Sequence, residues 1–141
     1  MSNRTFAIIK PDAVKKGYVG KIYDRIISAG FNILGAKLIK ISLLQAQGFY
    51  GVHKGKSFYE ELTEFMSSGQ SIVLALEKDN AVTAWRETIG ATNPEEAAEG
   101  TIRYDFAASI GENAVHGSDS DENAEKEIGF FFTESELSTN Q

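Results

Sequence analysis

The chain has 141 residues with 42% hydrophobic and 24% charged content, which predicts one domain with a buried core over residues 1–141. There is no cysteine, which excludes disulfides and cysteine-based zinc sites, and the net charge of −6 argues against dedicated nucleic-acid binding. No secretory signal and no apolar run of the ~20 residues that span a bilayer are visible, so we expect a cytoplasmic protein without a membrane segment.

The first third of the chain alternates strand and helix patterns. An apolar run predicts a strand over Phe6–Ile9, which Pro11 ends because proline cannot donate to a strand ladder. The next segment has apolar residues at helical spacing, with Gly30 as its end. The inward residues of this helix are predicted to be Val19, Ile22, Tyr23, Ile26 and Ile27. A second strand is predicted over Ile33–Ile41, and Gly35 indicates a bulge in it.

Capping signals place the middle helices. Ser42 is expected to cap a short helix that runs to about Tyr50. Ser57 and Glu60 have the spacing of a capping box, which predicts a helix with an apolar stripe that includes Phe58. The continuous apolar run Ile72–Leu76 is typical of a strand buried on both faces.

The last third contains shorter elements. Asp79 or Asn80 is expected to cap a helix with Val82, Trp85 and Ile89 inward, and Asn93-Pro94 is typical of another helix start. The segment Thr101–Phe106 is ambiguous between strand and helix, and Asn113–His116 is predicted to be extended. Ser120–Phe131 is predicted to form the last helix, with Ala124, Ile128 and Phe131 inward. A small sheet with helices packed on it is the expected class.

Several catalytic motifs are absent from the sequence. There is no Gly-x-Gly dinucleotide fingerprint, no Gly-x-Ser-x-Gly elbow and no His-Glu-x-x-His zinc pair. Residues 51–57 resemble a phosphate-binding P-loop, but three residues rather than four separate its glycines and it follows a predicted helix. We therefore reject a P-loop.

His116 is a candidate nucleophile because a neutral imidazole attacks well when an acceptor holds its other nitrogen. Glu127 lies at the edge of the inward stripe of the last helix, where a carboxylate needs a partner. The spacing alone favours an ordinary core or surface histidine and a solvated glutamate. The other histidine, His53, lies in a polar loop and is expected to be exposed.

Cationic and aromatic residues offer a second set of candidates. Lys10 ends an apolar strand, and Arg86 and Arg103 lie beside apolar residues, so the three side chains either reach solvent or clamp a phosphate. Thr92 precedes a helix start, where a hydroxyl would add to free backbone N–H groups. Phe58 is either a core anchor or a platform that stacks on a base, and its spacing alone favours the core anchor.

The sequence resembles the nucleoside diphosphate kinase family over about residues 4–137. Asn113–Asp119 is similar to the family's active-site signature, and this match is highly specific. Four further segments are similar to family motifs and occur in the family order, namely Ile9–Asp12, Gly90–Pro94, Gly100–Arg103 and Ala124–Ile128. One departure is Ser57, where many members have proline.

The resemblance implies a role for each matched residue. His116 would become phosphohistidine at Nδ1, with Glu127 orienting the ring, Ser118 supporting the site and Tyr50 beside it. Phe58 would stack on the base with little discrimination between bases. Lys10 and Asn113 would contact the ribose hydroxyls and the phosphates. The phosphates would be held by Arg86, Thr92 and Arg103.

The resemblance also implies the wider biochemistry. The fold would be a ferredoxin-like α+β sandwich. The enzyme would transfer the γ-phosphoryl group of a nucleoside triphosphate to a nucleoside diphosphate by a ping-pong mechanism and maintain nucleotide pools. The Mg²⁺ ion would arrive with the nucleotide, because no carboxylate cluster is visible that would hold it. The chain would form a tetramer or hexamer built from dimers.

Two other classes remain open from the sequence. A ferredoxin-like fold also serves single-stranded RNA binding, although the acidic charge disfavours that function. A regulatory domain would bind nucleotide without consuming it. Labelling with ATP distinguishes these classes, because only the kinase would gain an acid-labile, base-stable phosphoryl group.

Overall fold

The structure is a computed structural model that describes residues 3–138. Its strands are β1 (Arg4–Ile9), β2 (Asn32–Lys40), β3 (Gln70–Glu77) and β4 (Val115–Gly117). Its α-helices are α1 (Pro11–Lys15), α2 (Val19–Ser28), α3 (Leu43–Phe49), α4 (Tyr59–Met66), α5 (Ala81–Ile89), α6 (Ile102–Phe106) and α7 (Asp121–Phe131). Single turns of 3-10 helix cover Gly51–His53, Pro94–Glu96 and Glu134–Glu136. Within these described residues no helix is long and apolar enough to cross a membrane.

The strands form an antiparallel sheet in the order β2-β3-β1-β4. This order, with helices packed on the sheet, is the ferredoxin-like α+β sandwich that the resemblance predicts. Ile72–Leu76 of β3 are buried throughout, as their continuous apolar run predicts. The pairing of β2 with β3 shifts register between Ile33 and Gly35, which confirms the predicted bulge.

Alternate residues of β1 separate two apolar cores, one on each face of the sheet. Ala7 and Ile9 face the core that contains Trp85 of α5 and the inward side of α2. Phe6 and Ile8 face the core built with α3, α4 and α7. In β4, His116 pairs with Ile8, so its side chain lies on the face of the sheet that α7 covers.

Most helix boundaries agree with their capping signals. Ser42 caps α3 in a full capping box with Gln45, and Ser120 caps α7 by accepting the N–H of Asn123. Gly30 follows α2 with a φ of 91°, and Gly90 ends α5 with a φ of 87°, a region that glycine adopts without steric cost. The ambiguous segment after residue 100 is helical, because the hydroxyl of Thr101 caps α6.

The capping prediction at Ser57 is wrong. Helix α4 begins at Tyr59, and its N-cap, Phe58, makes no side-chain capping bond. The backbone of residues 56–59 already turns, because the N–H of Tyr59 donates to the carbonyl of Lys56. The turn therefore delays the helix by one residue, and Glu60 occupies its second position rather than the third.

Three smaller expectations also differ from the structure, and one helix was not expected. Asn80 is the N-cap of α5, but its φ of 53° is left-handed and its side chain makes no capping bond. Ile27 was expected to face inward, yet it is 58% exposed because Ile22 and Ile26 form the buried side of α2. Helix α1 was not predicted, and β4 begins at Val115, two residues later than expected.

Gly117→Ala is expected to destabilise the protein, because a Cβ there would lie 2.8 Å from Cδ1 of Trp85 and 3.1 Å from Cδ1 of Ile89. Both side chains are buried, so we expect the free energy of unfolding in urea to fall by about 1–3 kcal/mol. Gly129→Ala on α7 is the control, because its Cβ would contact nothing within 4 Å. Equal stability of the two variants would contradict the close packing.

Candidate active site

Strand β4 holds His116 by its backbone. The residue pairs with Ile8 of β1, and the indole N–H of Trp85 donates to its carbonyl at 3.1 Å. Aromatic rings surround the imidazole edge-on, with the centroid of Phe49 at 5.6 Å and that of Tyr50 at 6.3 Å. The side chain is 17% exposed, so the ring is fixed but reachable from solvent.

Glu127 of α7 binds the imidazole. Its Oε1 lies 2.9 Å from Nε2 of His116 and also accepts the hydroxyl of Ser118 at 2.7 Å. An N–H that donates to a carboxylate fixes the ring tautomer and leaves the lone pair on Nδ1. No residue in the described range 3–138 is bonded to Nδ1 of His116. The nitrogen available for attack is therefore Nδ1.

The surroundings favour the neutral imidazole. Burial lowers the pKa of His116, and the nearby cations Lys10 and Arg103 lower it further, while Glu127 opposes the shift. The ring is consequently unprotonated at neutral pH, as a nucleophile requires. Burial and the charge of Glu127 raise the pKa of Tyr50, whose hydroxyl therefore stays protonated. That hydroxyl is buried without a hydrogen-bond partner in residues 3–138.

Lys10 extends the site at the end of β1. Its Nζ donates to Oδ1 of Asn113 at 2.9 Å, and both residues are buried. Burial and the charge of Arg103 lower the pKa of Lys10 to about 8. The amide of Asn113 also approaches the carbonyl of Thr92 at 3.4 Å, so this pair connects the chain around β1 to the loop after α5.

Two arginines line a cleft of about 460 Å³ beside β4. Arg103 of α6 donates to the carbonyl of Gly90 at 3.0 Å and to that of Val115, the residue before His116, at 2.9 Å. Burial and the neighbouring Arg86 lower the pKa of Arg103 to about 10, so the guanidinium of Arg103 stays charged at neutral pH. The lining of the cleft also includes Thr92 and Asp119.

A row of rings leads from His116 to Phe58. The ring of Tyr50 lies 6.5 Å from that of His53, which lies 5.2 Å from that of Phe58. Phe58 is 46% exposed, which excludes the core-anchor alternative. Nζ of Lys56 lies 5.8 Å from the ring centroid of Phe58 and 3.2 Å from Nδ1 of His53. His53 is half-buried here rather than exposed as expected.

The structure thus gathers nearly all the predicted site residues at one end of β1 and β4. His116, Glu127, Ser118 and Tyr50 are in mutual contact or adjacent, and Lys10 and Asn113 form a bonded pair. Arg86, Thr92 and Arg103 line the neighbouring cleft. Phe58 has no direct contact with the imidazole and connects to it only through the intervening rings.

Three residues of the site were missed from the sequence. Trp85 donates to the carbonyl of His116, and Asp119 lines the cleft. Asp12 accepts the backbone N–H of Ala114, which lies within the signature segment. Asp12 and Asp119 both lie inside matched motifs, which was a usable signal. Trp85 gave only the signal of an inward residue at helical spacing. In the described part of the chain, no group of three or more His, Cys, Asp or Glu residues is placed to hold a metal ion.

The pH profile of kcat/KM is expected to fall as the pH rises through about 8, because Lys10 then loses the proton that attracts phosphate. The acidic limb should lie below pH 6.5, since burial lowers the pKa of His116. Lys10→Arg keeps the charge at higher pH and should move the alkaline limb upward. An alkaline limb that is unchanged in this variant would contradict the assignment to Lys10.

The comparisons with known proteins agree with this geometry. The family model described as nucleoside diphosphate kinase matches residues 3–137. A nucleoside diphosphate kinase of Salinibacter ruber is 55% identical over 139 residues, which cover 99% of this chain and 98% of that protein. The Aquifex aeolicus nucleoside diphosphate kinase has a TM-score of 0.94 at 45% identity, covering 96% of this chain and 98% of that one.

A third relative was solved with a nucleotide. The Halobacterium salinarum nucleoside diphosphate kinase, in complex with CDP, has a TM-score of 0.94 at 35% identity, covering 100% of this chain and 94% of that one. Family model, sequence identity and structural similarity extend over nearly the whole chain and include every segment that builds the site. The chain therefore belongs to the nucleoside diphosphate kinase family.

Proposed function

We propose that this protein transfers the γ-phosphoryl group of a nucleoside triphosphate to a nucleoside diphosphate through a phosphohistidine at His116. The observation that carries the proposal is the bond between Nε2 of His116 and Glu127, which leaves the lone pair on Nδ1. Arg103, which lines the neighbouring cleft, donates to the carbonyl of Val115, the residue before His116. Membership of the family and the CDP complex of a relative support the substrate class.

In the first half-reaction, the Nδ1 lone pair of His116 attacks the γ-phosphorus in line. The new N–P bond forms as the bond from the γ-phosphorus to the bridging oxygen breaks, and the nucleoside diphosphate leaves with that oxygen. Nε2 keeps its proton throughout. The carboxylate of Glu127 stabilises the positive charge that develops on the ring, because it accepts that N–H. The second half-reaction reverses these steps with another diphosphate.

In the transfer step, the cations would act on the phosphates. Arg86 and Arg103 would bind phosphate oxygens in the cleft, and Lys10 would neutralise charge at the end of β1. Phosphoryl transfer depends mainly on such positioning and charge stabilisation. The Mg²⁺ ion enters with the nucleotide as part of the substrate.

The base would stack on Phe58, whose exposed ring lies at the far end of the aromatic row. Every base offers a π-face, so stacking alone gives little discrimination between nucleotides. Broad base tolerance, maintenance of nucleoside triphosphate pools in the cytoplasm, and assembly from dimers into a tetramer or hexamer belong to the same proposal.

Initial rates at several concentrations of both substrates test this proposal. A covalent intermediate predicts parallel double-reciprocal lines, because the first diphosphate leaves before the second binds. Diphosphates of different bases should give kcat/KM values within about tenfold of each other if stacking dominates base recognition. Intersecting lines, or no transfer at all, would overturn the proposal.

A further inference from the structure

The chain turns sharply just before the reacting histidine. Ala114 has a φ of 73°, and the N–H of Val115 donates to the carbonyl of Asn113 at 2.8 Å. A bond from residue i+2 back to residue i around a left-handed centre is a γ-turn, a rare and strained conformation for a residue with a side chain. The turn lies two residues before His116, so its geometry sets where β4 begins.

The segment at the end of β1 holds this turn on both sides. The N–H of Lys10 donates to the carbonyl of Ala114 at 2.8 Å. Oδ2 of Asp12 accepts the N–H of Ala114 at 3.1 Å. Nζ of Lys10 also binds Oδ1 of Asn113. Both backbone polar groups of the strained residue are therefore bonded to residues 10–12.

Asp12 is a charged group in an environment that disfavours charge. It is 6% exposed, and its Oδ1 is buried without a hydrogen-bond partner in residues 3–138. Burying a carboxylate costs desolvation free energy, whereas an apolar side chain could fill the same space without that cost. The second charge nearby is that of Lys10, and the charge of Asp12 raises the pKa of Lys10 against the effects of burial and Arg103.

We propose that Asp12 is a positioning residue that clamps the γ-turn at Ala114 and thereby places Nδ1 of His116 for attack. This inference rests on the proposed function for the role of His116. Asp12 does not line the cleft, and its side chain binds the backbone N–H of Ala114, through which it would act on His116. A substitution at residue 12 that loosens this turn would shift the start of β4 and with it His116. A displacement of about 1 Å at a reacting atom can lower a rate about 100-fold.

Two substitutions of Asp12 distinguish the effect of its hydrogen-bond acceptor from the effect of its negative charge. Asp12→Ala removes both, so the amide of Ala114 should exchange with deuterium at least about tenfold faster, and single-turnover phosphorylation of His116 should slow by about tenfold to 100-fold. Asp12→Asn keeps an oxygen that accepts the N–H, so amide protection and the rate at pH 6.5–7 should be largely rescued. Because the charge of Asp12 raises the pKa of Lys10, its loss should move the alkaline limb of the kcat/KM profile to lower pH.

A double-mutant cycle with Ala114→Gly tests the turn itself. Glycine adopts a positive φ without steric cost, so the clamp matters less in that background. Asp12→Ala should therefore slow phosphorylation less when it is combined with Ala114→Gly than when it is made alone. Lys15→Ala, at an exposed position of α1, is the matched control and should change neither exchange nor rate.

Deuterium exchange at the amide of Ala114 tests the role of Asp12 independently of catalysis. If the protein forms no phosphohistidine, the proposed function fails, but the exchange measurement still tests whether Asp12 holds the turn. Melting temperatures report the folded fraction, and rates are compared for folded protein only. An Asp12→Ala variant whose folded fraction keeps the parent rate, or that slows phosphorylation with unchanged Ala114 protection, would overturn the proposal. Additive effects in the double-mutant cycle would also overturn it.

Discussion

His116→Ala is expected to abolish phosphoryl transfer while the fold is retained. The substitution removes the attacking nitrogen, and loss of a covalent nucleophile lowers turnover by about 10⁴-fold or more. Strand β4 should persist, because its pairing with β1 and the bond from Trp85 use only the backbone of residue 116. Turnover and the circular dichroism spectrum, measured on the same sample, check both parts.

The other histidine provides the control for this experiment. His53→Ala removes the second of the two imidazoles in the chain. This variant should still become phosphorylated on His116 when it is incubated with a nucleoside triphosphate. Near-normal turnover of His116→Ala would contradict the assignment of the nucleophile. Unfolding of that variant would contradict the expectation that backbone bonds hold β4.

Arg103→Ala is expected to lower kcat by about 100-fold to 1,000-fold, the effect of removing one charge-stabilising donor from an active site. The guanidinium also donates to the carbonyls of Gly90 and Val115, so the variant loses contacts that join α5 to β4. Arg103→Lys keeps a positive charge but loses the planar guanidinium that donates two parallel hydrogen bonds, so it should recover only part of kcat. Steady-state kinetics with a saturating triphosphate measure the effect.

Arg4→Ala serves as the arginine control because Arg4 lies at the opposite end of β1 from Lys10. Its kcat should equal that of the parent protein. A kcat for Arg103→Ala within twofold of the control would mean that Arg103 does not act on the transferring phosphoryl group. If Arg103→Ala greatly lowers the melting temperature, kcat is calculated for the folded fraction of each variant before the values are compared.

Local chemistry explains what was predictable from the sequence. The caps of α3 and α7 use residues three apart, and the inward stripe of α7 follows its own helical period. The burial of Ile72–Leu76 follows from an uninterrupted apolar run. The position of Glu127 at the edge of the α7 stripe indicated a partner for its carboxylate, although the spacing did not identify His116.

The site itself depends on contacts between distant segments. Trp85 meets the carbonyl of His116 from 31 positions away, and Asp12 meets Ala114 from 102 positions away. No local period or cap encodes such pairs, so only the resemblance to a family placed these segments together. The resemblance supplied residue roles, and the geometry supplies physical reasons for them, such as the bond that leaves Nδ1 of His116 unpaired.

The errors also have local causes. The spacing of Ser57 and Glu60 satisfied a capping box, but a backbone turn through Lys56 competed with it and delayed the helix. The left-handed conformation of Asn80 was unpredictable, because asparagine both caps helices and tolerates positive φ. Ile27 follows the helical spacing but lies beyond the width of the buried face.

The most direct test of the central claim is the position of the phosphoryl group. The protein is incubated with a nucleoside triphosphate in the absence of an acceptor, and the attachment site is assigned by phosphorus NMR and by mass spectrometry of alkaline digests. We expect one phosphoryl group, on Nδ1 of His116, that is lost when any nucleoside diphosphate is added. Phosphorylation on Nε2 or on another residue, or transfer without any phosphorylated protein, would contradict the account.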